Sequence, residues 1–442
     1  MKRSMQIAAV TMAAASALGF SVSASHAAGK FVVADPDAKV EYSGKLSILT
    51  KFGLQVLSPY FTDLAKEYEK LHPDVKVELI QESDDSVKGK TKTLVASNTL
   101  TDVYFSWTGS WGGNFVRGNR AVDLSKVIGP DSDWGKTLVP AAVQAFQYND
   151  KYYGIPLYLD AKFMGYNKQI FAKLGISAPT SFGELLSDCD TIRKAGLTPI
   201  SLGNKEAWPA LHYIGQLLAY DVPRATLERD FESKTAKYDD PGYVAALKQF
   251  KELSDRCTDG ATMNGVSYAS ALQAFSNTKS AMYYQEIIEF DQSASADTTL
   301  KAADFGFFVL PAPADAKGDP KAVEGAPEGY MINTAAKNIP LAIDFMKFVT
   351  TKEHGQVLSA PPYGQPSATI GGASESNMSP SVVDGLKVLK SASYLMPWLD
   401  TANSPRVAQA WLASLQALVD GSMTAEQVMD KVKQAAAADA KK

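Results

Sequence analysis

Apolar positions recur along this chain first with a period of two and then with a helical period. Lys45-Leu-Ser-Ile-Leu-Thr50 alternates and reads as a strand after a linker-like stretch, Phe31 to Ser43. Ser58-Pro59 then supplies a helix cap and a first-turn proline, and Phe61, Leu64, Tyr68 and Leu71 fall on one helical face. His72-Pro73-Asp74 ends that helix, because proline disfavours helical geometry in the residue before it. Val75, Val77 and Leu79 alternate again, so the order is strand, helix, strand, the unit of a parallel sheet covered by helices.

The pattern continues. Lys90 to Asn98 reads as helix and Asp102 to Trp107 as a third strand, followed by glycine turns at Gly109 and Gly112-Gly113. Ser181-Phe-Gly-Glu184 has the form of a capping box ahead of Leu185, Leu186 and Ile192. Tyr243 to Leu253 is an amphipathic helix, Asp304 to Leu310 a short strand, and Pro340 opens a helix carrying Ile343, Phe345, Met346 and Val349. The last third is mainly helical; Thr424-Ala-Glu-Gln427 starts a final helix, and Ala435 to Lys442 reads as a fraying tail. The class is α/β, and the length suggests two lobes.

The first residues change the picture most. Lys2 and Arg3 precede an apolar run from Ile7 to Phe20, and Ser25-His26-Ala27 offers small residues where a signal peptidase reads. The run is shorter than the ~20 residues that span a bilayer. Residues 1–27 therefore read as a cleaved secretory signal, with no cysteine following to carry a lipid anchor, and the mature chain is expected in the periplasm. Formal net charge is −4, and removing Lys2 and Arg3 makes it −4 − 2 = −6. A mildly acidic surface without basic clusters argues against nucleic acid and anionic membranes as partners. Cys189 and Cys257 form either one disulfide or two buried thiols. His72, His212 and His354 show no metal-ligand spacing, and neither a metal nor a cofactor is expected.

No nucleophile elbow, zinc-protease helix, Walker loop or dinucleotide fingerprint is present. A lone carboxylate pair can still be catalytic, so a secreted carbohydrate-active enzyme is the alternative from another class, although no enzyme is expected. What the chain offers instead is aromatic rings and carboxylates at element ends. Trp107 and Trp111 follow the third strand, Asp160 follows Tyr153 to Tyr158, Trp208 enters a helix, and Trp398 and Asp400 precede the long terminal helix. Ligands of open parallel sheets sit at the carboxyl ends of strands. A pyranose has apolar faces that stack on rings and an equator of hydroxyls that carboxylates accept. An amino acid ligand would favour an arginine, and Arg117 and Arg406 are not placed for that; a phosphate would need basic groups at the cleft, and none can be placed.

Several ordered pieces then resemble the extracellular solute-binding proteins of ABC importers, in the branch of maltose-binding protein. Pro59 to Val75 is similar to the family's first helix and second-strand entry. Leu94 to Asn98 with Thr101 to Phe105 is similar to its next helix and strand, although Thr101 replaces a common proline. Tyr153-Gly-Ile-Pro156 through Gly165-Tyr-Asn-Lys168 resembles the first crossing between lobes, with Asp160 at an acidic sugar position. Gly203 to Trp208 resembles a loop supplying Glu206 and Trp208. Lys279 to Tyr284 resembles a strand before another ligand loop, but Gln285-Glu286 stands where relatives carry glycine and tryptophan, leaving Glu286 as a polar contact. Glu328-Gly-Tyr-Met-Ile-Asn333, Lys337-Asn338 and Tyr363-Gly-Gln-Pro366 complete the pattern.

The resemblance implies a two-lobe periplasmic-binding-protein fold with a hinged cleft. Lobe 1 is expected at 44–159 plus 304–350 and lobe 2 at 160–303 plus 351–442, with crossings near Asp160, Asp304 and Thr350. It implies a monomeric receptor that takes a mono- or oligosaccharide and delivers it to membrane permease subunits. A polyol, sugar acid or sugar phosphate is the alternative ligand. The candidate site residues, from the element-end reading and the resemblance together, are Trp107, Trp111, Tyr158, Asp160, Glu206, Trp208, Glu286, Glu328, Tyr363, Trp398 and Asp400.

Overall fold

A computed structural model describes residues 31–441; the signal at residues 1–27 lies outside them. A nine-stranded sheet organises the molecule. Its strands are β1 (Gly44–Thr50), β2 (Val75–Gln81), β3 (Val103–Trp107), β4 (Gly154–Asn167), β5 (Thr198–Ser201), β6 (Ser280–Glu286), β7 (Phe305–Phe308), β8 (Val323–Ile332) and β9 (Leu395–Met396). The spatial order is β2-β1-β3-β8-β4-β6-β5, with β9 beside β8 and β7 beside β4. β1 runs parallel to β2 and β3, and β8 runs antiparallel to both β3 and β4.

β4 holds the sheet together because it changes partners halfway. Gly154 to Ala161 pairs with β8, whereas Lys162 to Tyr166 pairs with β6 and Met164 to Asn167 with β7. β8 does the same: Val323 and Glu324 pair with β9, and Gly325 onward pairs with β4. Only Leu159 and Tyr166 of β4 escape full burial, as expected of a strand covered on both faces. On one side of the crossing Ile48, Phe61, Tyr104, Tyr330 and Phe345 share a core. On the other, Leu186, Ile214, Leu247, Trp411 and Val428 share a second. Cys189 and Cys257 are bonded within that second core, with Cα atoms 5.1 Å apart, joining the helices Phe182–Lys194 and Gly242–Cys257.

The change of partners within β4 falls between Ala161 and Lys162, beside Asp160. Asp304 precedes β7, which still pairs with the far half of β4, and the return comes in β8. Beyond Thr350 the chain stays on the first half: Thr369 Oγ1 donates to the Thr350 carbonyl and Ala368 N–H to that of Leu157.

Local expectations fare unevenly. The helix expected from Lys90 starts at Asp84, where Ser83 and Ser86 cap it reciprocally, and two aspartates favour the positive end of the helix dipole. The glycine turns after Trp107 are in fact the helix Gly109–Arg117. Its glycines are there for close approach: a Cβ on Gly112 would lie 2.2 Å from the Tyr148 hydroxyl, and one on left-handed Gly109 2.9 Å from Ala402 Cα. Ser181 caps its helix, but Glu184 reaches Thr180 rather than closing the box. The tail expected to fray from Ala435 stays helical to Asp439. Ala435 and Ala436 are buried, and Asp439 binds Ser404 and Arg406. The linker-like segment is anchored too, by Ala34 N–H donating to Asp123 O at 2.8 Å.

Candidate functional site

The carboxyl ends of β1 and β3 and the partner change in β4 and β8 bring charged side chains into one buried cluster. Lys51 follows β1 and is 2% exposed; its Nζ lies 2.7 Å from both Asp84 Oδ1 and Glu328 Oε2. Glu328 also accepts from Tyr158 Oη at 2.7 Å and from Trp107 Nε1 at 2.9 Å, so both its oxygens are engaged. One residue past the crossing, Lys162 pairs with Glu286 at 3.3 Å and donates to Tyr268 Oη at 2.9 Å. Tyr268 Oη donates in turn to Glu289 at 2.6 Å.

Burial opposes charge throughout this cluster, and the outcome differs by residue. Burial disfavours the Lys51 ammonium, yet Asp84 and Glu328 raise its pKa well above the usual lysine value. Burial likewise opposes ionised Glu286, but Lys162 and Lys51 hold its pKa below the usual carboxylate value. Asp160 is pushed well above the carboxylate range by burial and then by Glu286 and Glu328. Its neutral form, which can donate as well as accept, is thereby favoured. Glu289 is pushed up to about 8 by burial and the Glu286 charge.

Above this floor lies a cavity of about 20 Å³, lined by Asp84, Lys88, His212 and six of the residues expected from sequence. Those six are Trp107, Trp208, Glu286, Glu328, Trp398 and Asp400. The space admits little more than one water. The Lys88 ammonium is 4.5 Å from the Trp107 ring centre and pairs with Asp400, so a lysine covers a ring face on which a flat ligand would stack. Trp398 stacks on His212 at 4.7 Å, and Trp208 packs on Tyr268 at 4.3 Å. His212 is held neutral, well below its usual pKa, by burial and by Lys162 and Lys88. Trp398 Nε1, His212 Nδ1, Asp400 Oδ1 and Asp160 Oδ2 are buried with no hydrogen-bond partner among the described residues. Such atoms each cost about 1–3 kcal/mol, and a ligand rich in hydroxyls can satisfy them.

The remaining expected residues are dispersed. Tyr158 and Asp160 form part of the floor. Trp111 meets Trp107 edge-on at 5.5 Å and faces an adjoining groove. Glu206 accepts from the Tyr268 N–H at 3.1 Å and, opposite Asp85, helps raise the Asp85 pKa to about 6 after burial. Tyr363 is not brought to the cavity; its ring packs on Tyr60 at 5.4 Å. Sequence reasoning missed Lys51, Asp84, Lys88, Lys162 and His212. It placed no basic group at the cleft, yet three lysines stand there, each committed to a carboxylate. Lys162 carried a signal, as the one cation inside the apolar run from Gly154 to Tyr166. Among the described residues no cluster of three or more histidine, cysteine or acidic side chains is arranged to hold a metal ion.

A family model described as bacterial extracellular solute-binding protein matches residues 55–356. The chain is 27% identical over 156 residues to an ABC transporter extracellular-binding protein of Pyrococcus horikoshii, covering 34% of this chain and 35% of that one. It is 23% identical over 296 residues to the multiple sugar-binding protein of Streptococcus mutans, covering 65% and 67%. The chain spans between about a third and a half of the first curated relatives it matches. A solved chitin oligosaccharide binding protein superposes with a TM-score of 0.82 at 19% identity, covering 91% of this chain and all of that one. That likeness shows the fold, two α/β lobes about a cleft.

Two predictions come from the buried cluster. Lys51→Met strands Asp84 and Glu328 and should destabilise the protein by about 3–5 kcal/mol at pH 7 in urea unfolding. The deficit should shrink as pH falls and those carboxylates, already pushed upward by burial, protonate; an equal deficit at neutral and acid pH would contradict the pairing. Glu289 has a folded pKa of about 8, raised from 4.5. Its favourable contribution is present below pH 4.5 and lost as pH rises towards 8. Unfolding free energy should therefore fall across that window, and Glu289→Gln should flatten the fall; an unaltered slope would remove Glu289 as its source.

Proposed function

The chain belongs to the bacterial extracellular solute-binding proteins, and on that premise we propose that it captures a saccharide between its lobes and hands it to the permease of an ABC importer. The observation that carries this reading is the ring-and-carboxylate seat: Trp107, Trp208 and Trp398 with Glu286, Glu328 and Asp400 around one cavity. Rings take the C–H faces of a pyranose, and Asp400, His212 and the Trp398 N–H, each with an unpartnered buried atom, take its hydroxyls. The three lysines are neutralised within the protein, which favours an uncharged ligand over a sugar phosphate or sugar acid. The relative from Streptococcus mutans is named for sugar binding, in keeping with this reading.

Capture proceeds by closure. The pivots lie at Asp160 to Lys162 of β4, at Val323 to Gly325 of β8, and between Gly372 and Leu395. In this reading they stand in place of the crossings expected near Asp304 and Thr350. A ligand touching both walls selects the closed form, because only there do both sets of contacts exist. The receptor acts as a monomer outside the cytoplasm, after removal of residues 1–27, and releases its ligand intact. Among the described residues no helix is long and apolar enough to cross a membrane, so transport requires separate permease subunits.

The test is thermal unfolding of the mature protein against monosaccharides, oligosaccharides, polyols, sugar phosphates and amino acids. A ligand at a hundred times its dissociation constant adds about 2.7 kcal/mol of stability. A selective rise in Tm with one saccharide, recovered unchanged, is expected, and Trp208→Ala should weaken that binding by about 1–3 kcal/mol through lost ring burial. A rise confined to amino acids or phosphates would overturn the carbohydrate reading.

A further inference from the structure

The small cavity is not the whole space between the lobes. Lys88 and Asp400 line it on one side and, on their other side, line a groove of about 270 Å³. Val95, Trp111, Phe115 and Leu412 are its apolar lining, and Asn114 and Gln409 line it with amides beside the cations Lys92 and Arg120. The groove draws on both halves of the molecule. Val95 and Trp111 come from helices beside β1 and β3, and Gln409 and Leu412 from the helix Pro405–Val419 of the second core. Two buried polar atoms belong to residues lining this space and lack partners among the described residues, Trp111 Nε1 and Asp400 Oδ1. Asp400 has a side chain only 4% exposed, with its other oxygen on Lys88.

We propose that this groove is the outer half of the ligand site and seats a second saccharide ring, so that the preferred ligand is a disaccharide rather than a monosaccharide. The inference rests on the carbohydrate reading above and adds the ligand's length. The inner cavity admits a ring only as the lobes part and Lys88 leaves the face of Trp107. The groove already stands open at about 270 Å³ against about 20 Å³ inside. Its chemistry repeats the first seat in milder form. An aromatic and aliphatic lining meets the face of a pyranose, and the amides meet its hydroxyls. The Lys88–Asp400 pair divides the two seats. There the ammonium can donate to the oxygens joining two rings, while the free oxygen of Asp400 accepts from a hydroxyl.

The test is calorimetric titration of the mature protein with matched pairs: xylose and xylobiose, glucose and maltose, N-acetylglucosamine and diacetylchitobiose. For the pair that binds, the disaccharide should bind at least about tenfold more tightly than its monosaccharide, through the added ring burial. Trp111→Ala removes the ring from the lining, and Gln409→Trp, at an exposed helix position, fills the groove; in each the ratio should fall towards one. Melting temperatures close to that of the parent protein show that a lost ratio is not a lost fold. A ratio near one in the parent protein, or one that survives both substitutions, overturns the second seat while leaving the carbohydrate reading intact. Binding of no saccharide, alongside a shift with another solute class, overturns both.

Discussion

Two buried lysines at a change of strand partners set the terms for this structure. Where β4 passes from β8 to β6, Asp160, Lys162, Glu286 and Glu328 converge, with Lys51 arriving from the end of β1. Each ion loses several kcal/mol of hydration on burial, so none is tolerable there alone. Lys51 answers Asp84 and Glu328, Lys162 answers Glu286, and burial with the neighbouring charges favours the neutral form of the remaining acid, Asp160. The cluster fixes Tyr158, Trp107 and Tyr268 through its hydrogen bonds, and those rings fix the walls of the cavity. Ligand recognition as proposed thus starts from a floor whose ions are paired within the protein.

The same crossing explains how a paired floor coexists with a moving cleft. The strands that change partners are continuous and join the two halves by backbone; the first core runs past the change of partners to Phe163, Phe275 and Phe305, and a separate core lies beyond it. Contacts above the floor are of another kind. Lys88 meets Asp400 with a quarter of the lysine side chain exposed, and Gly109 lies against the backbone of Ala402. Such contacts join separate elements with no strand pairing between them and can part without unfolding either core.

How much of this was legible follows from which residues bury apolar area. The strands and long helices announced themselves through periodicity, and Trp107, Trp208, Trp398 and Asp400 through their placement at element ends. The lysines did not. A cation inside a sheet is intelligible only once its carboxylates are known, and those come from positions hundreds of residues away, as with Lys51 and Glu328. The helix after Trp107 was hidden for a related reason. Its glycines look like turn residues in one dimension and become close-approach residues only beside Tyr148 and Ala402. Tyr363 shows the converse. It occupies a matching place in an ordered pattern, yet its ring finds Tyr60 rather than the cavity.

The central claim is that a saccharide draws the two lobes together about the β4 crossing. The most direct measurement is the distance distribution between spin labels on cysteines replacing Thr93, on the helix Asp84–Ala96, and Lys205, in the loop before Trp208, both exposed, with and without the saccharide giving the largest thermal shift. A broad distribution reaching longer distances in the free protein, collapsing on addition of saccharide to the single short separation of the closed form, is the predicted result. An identical distribution in both samples would contradict capture by closure.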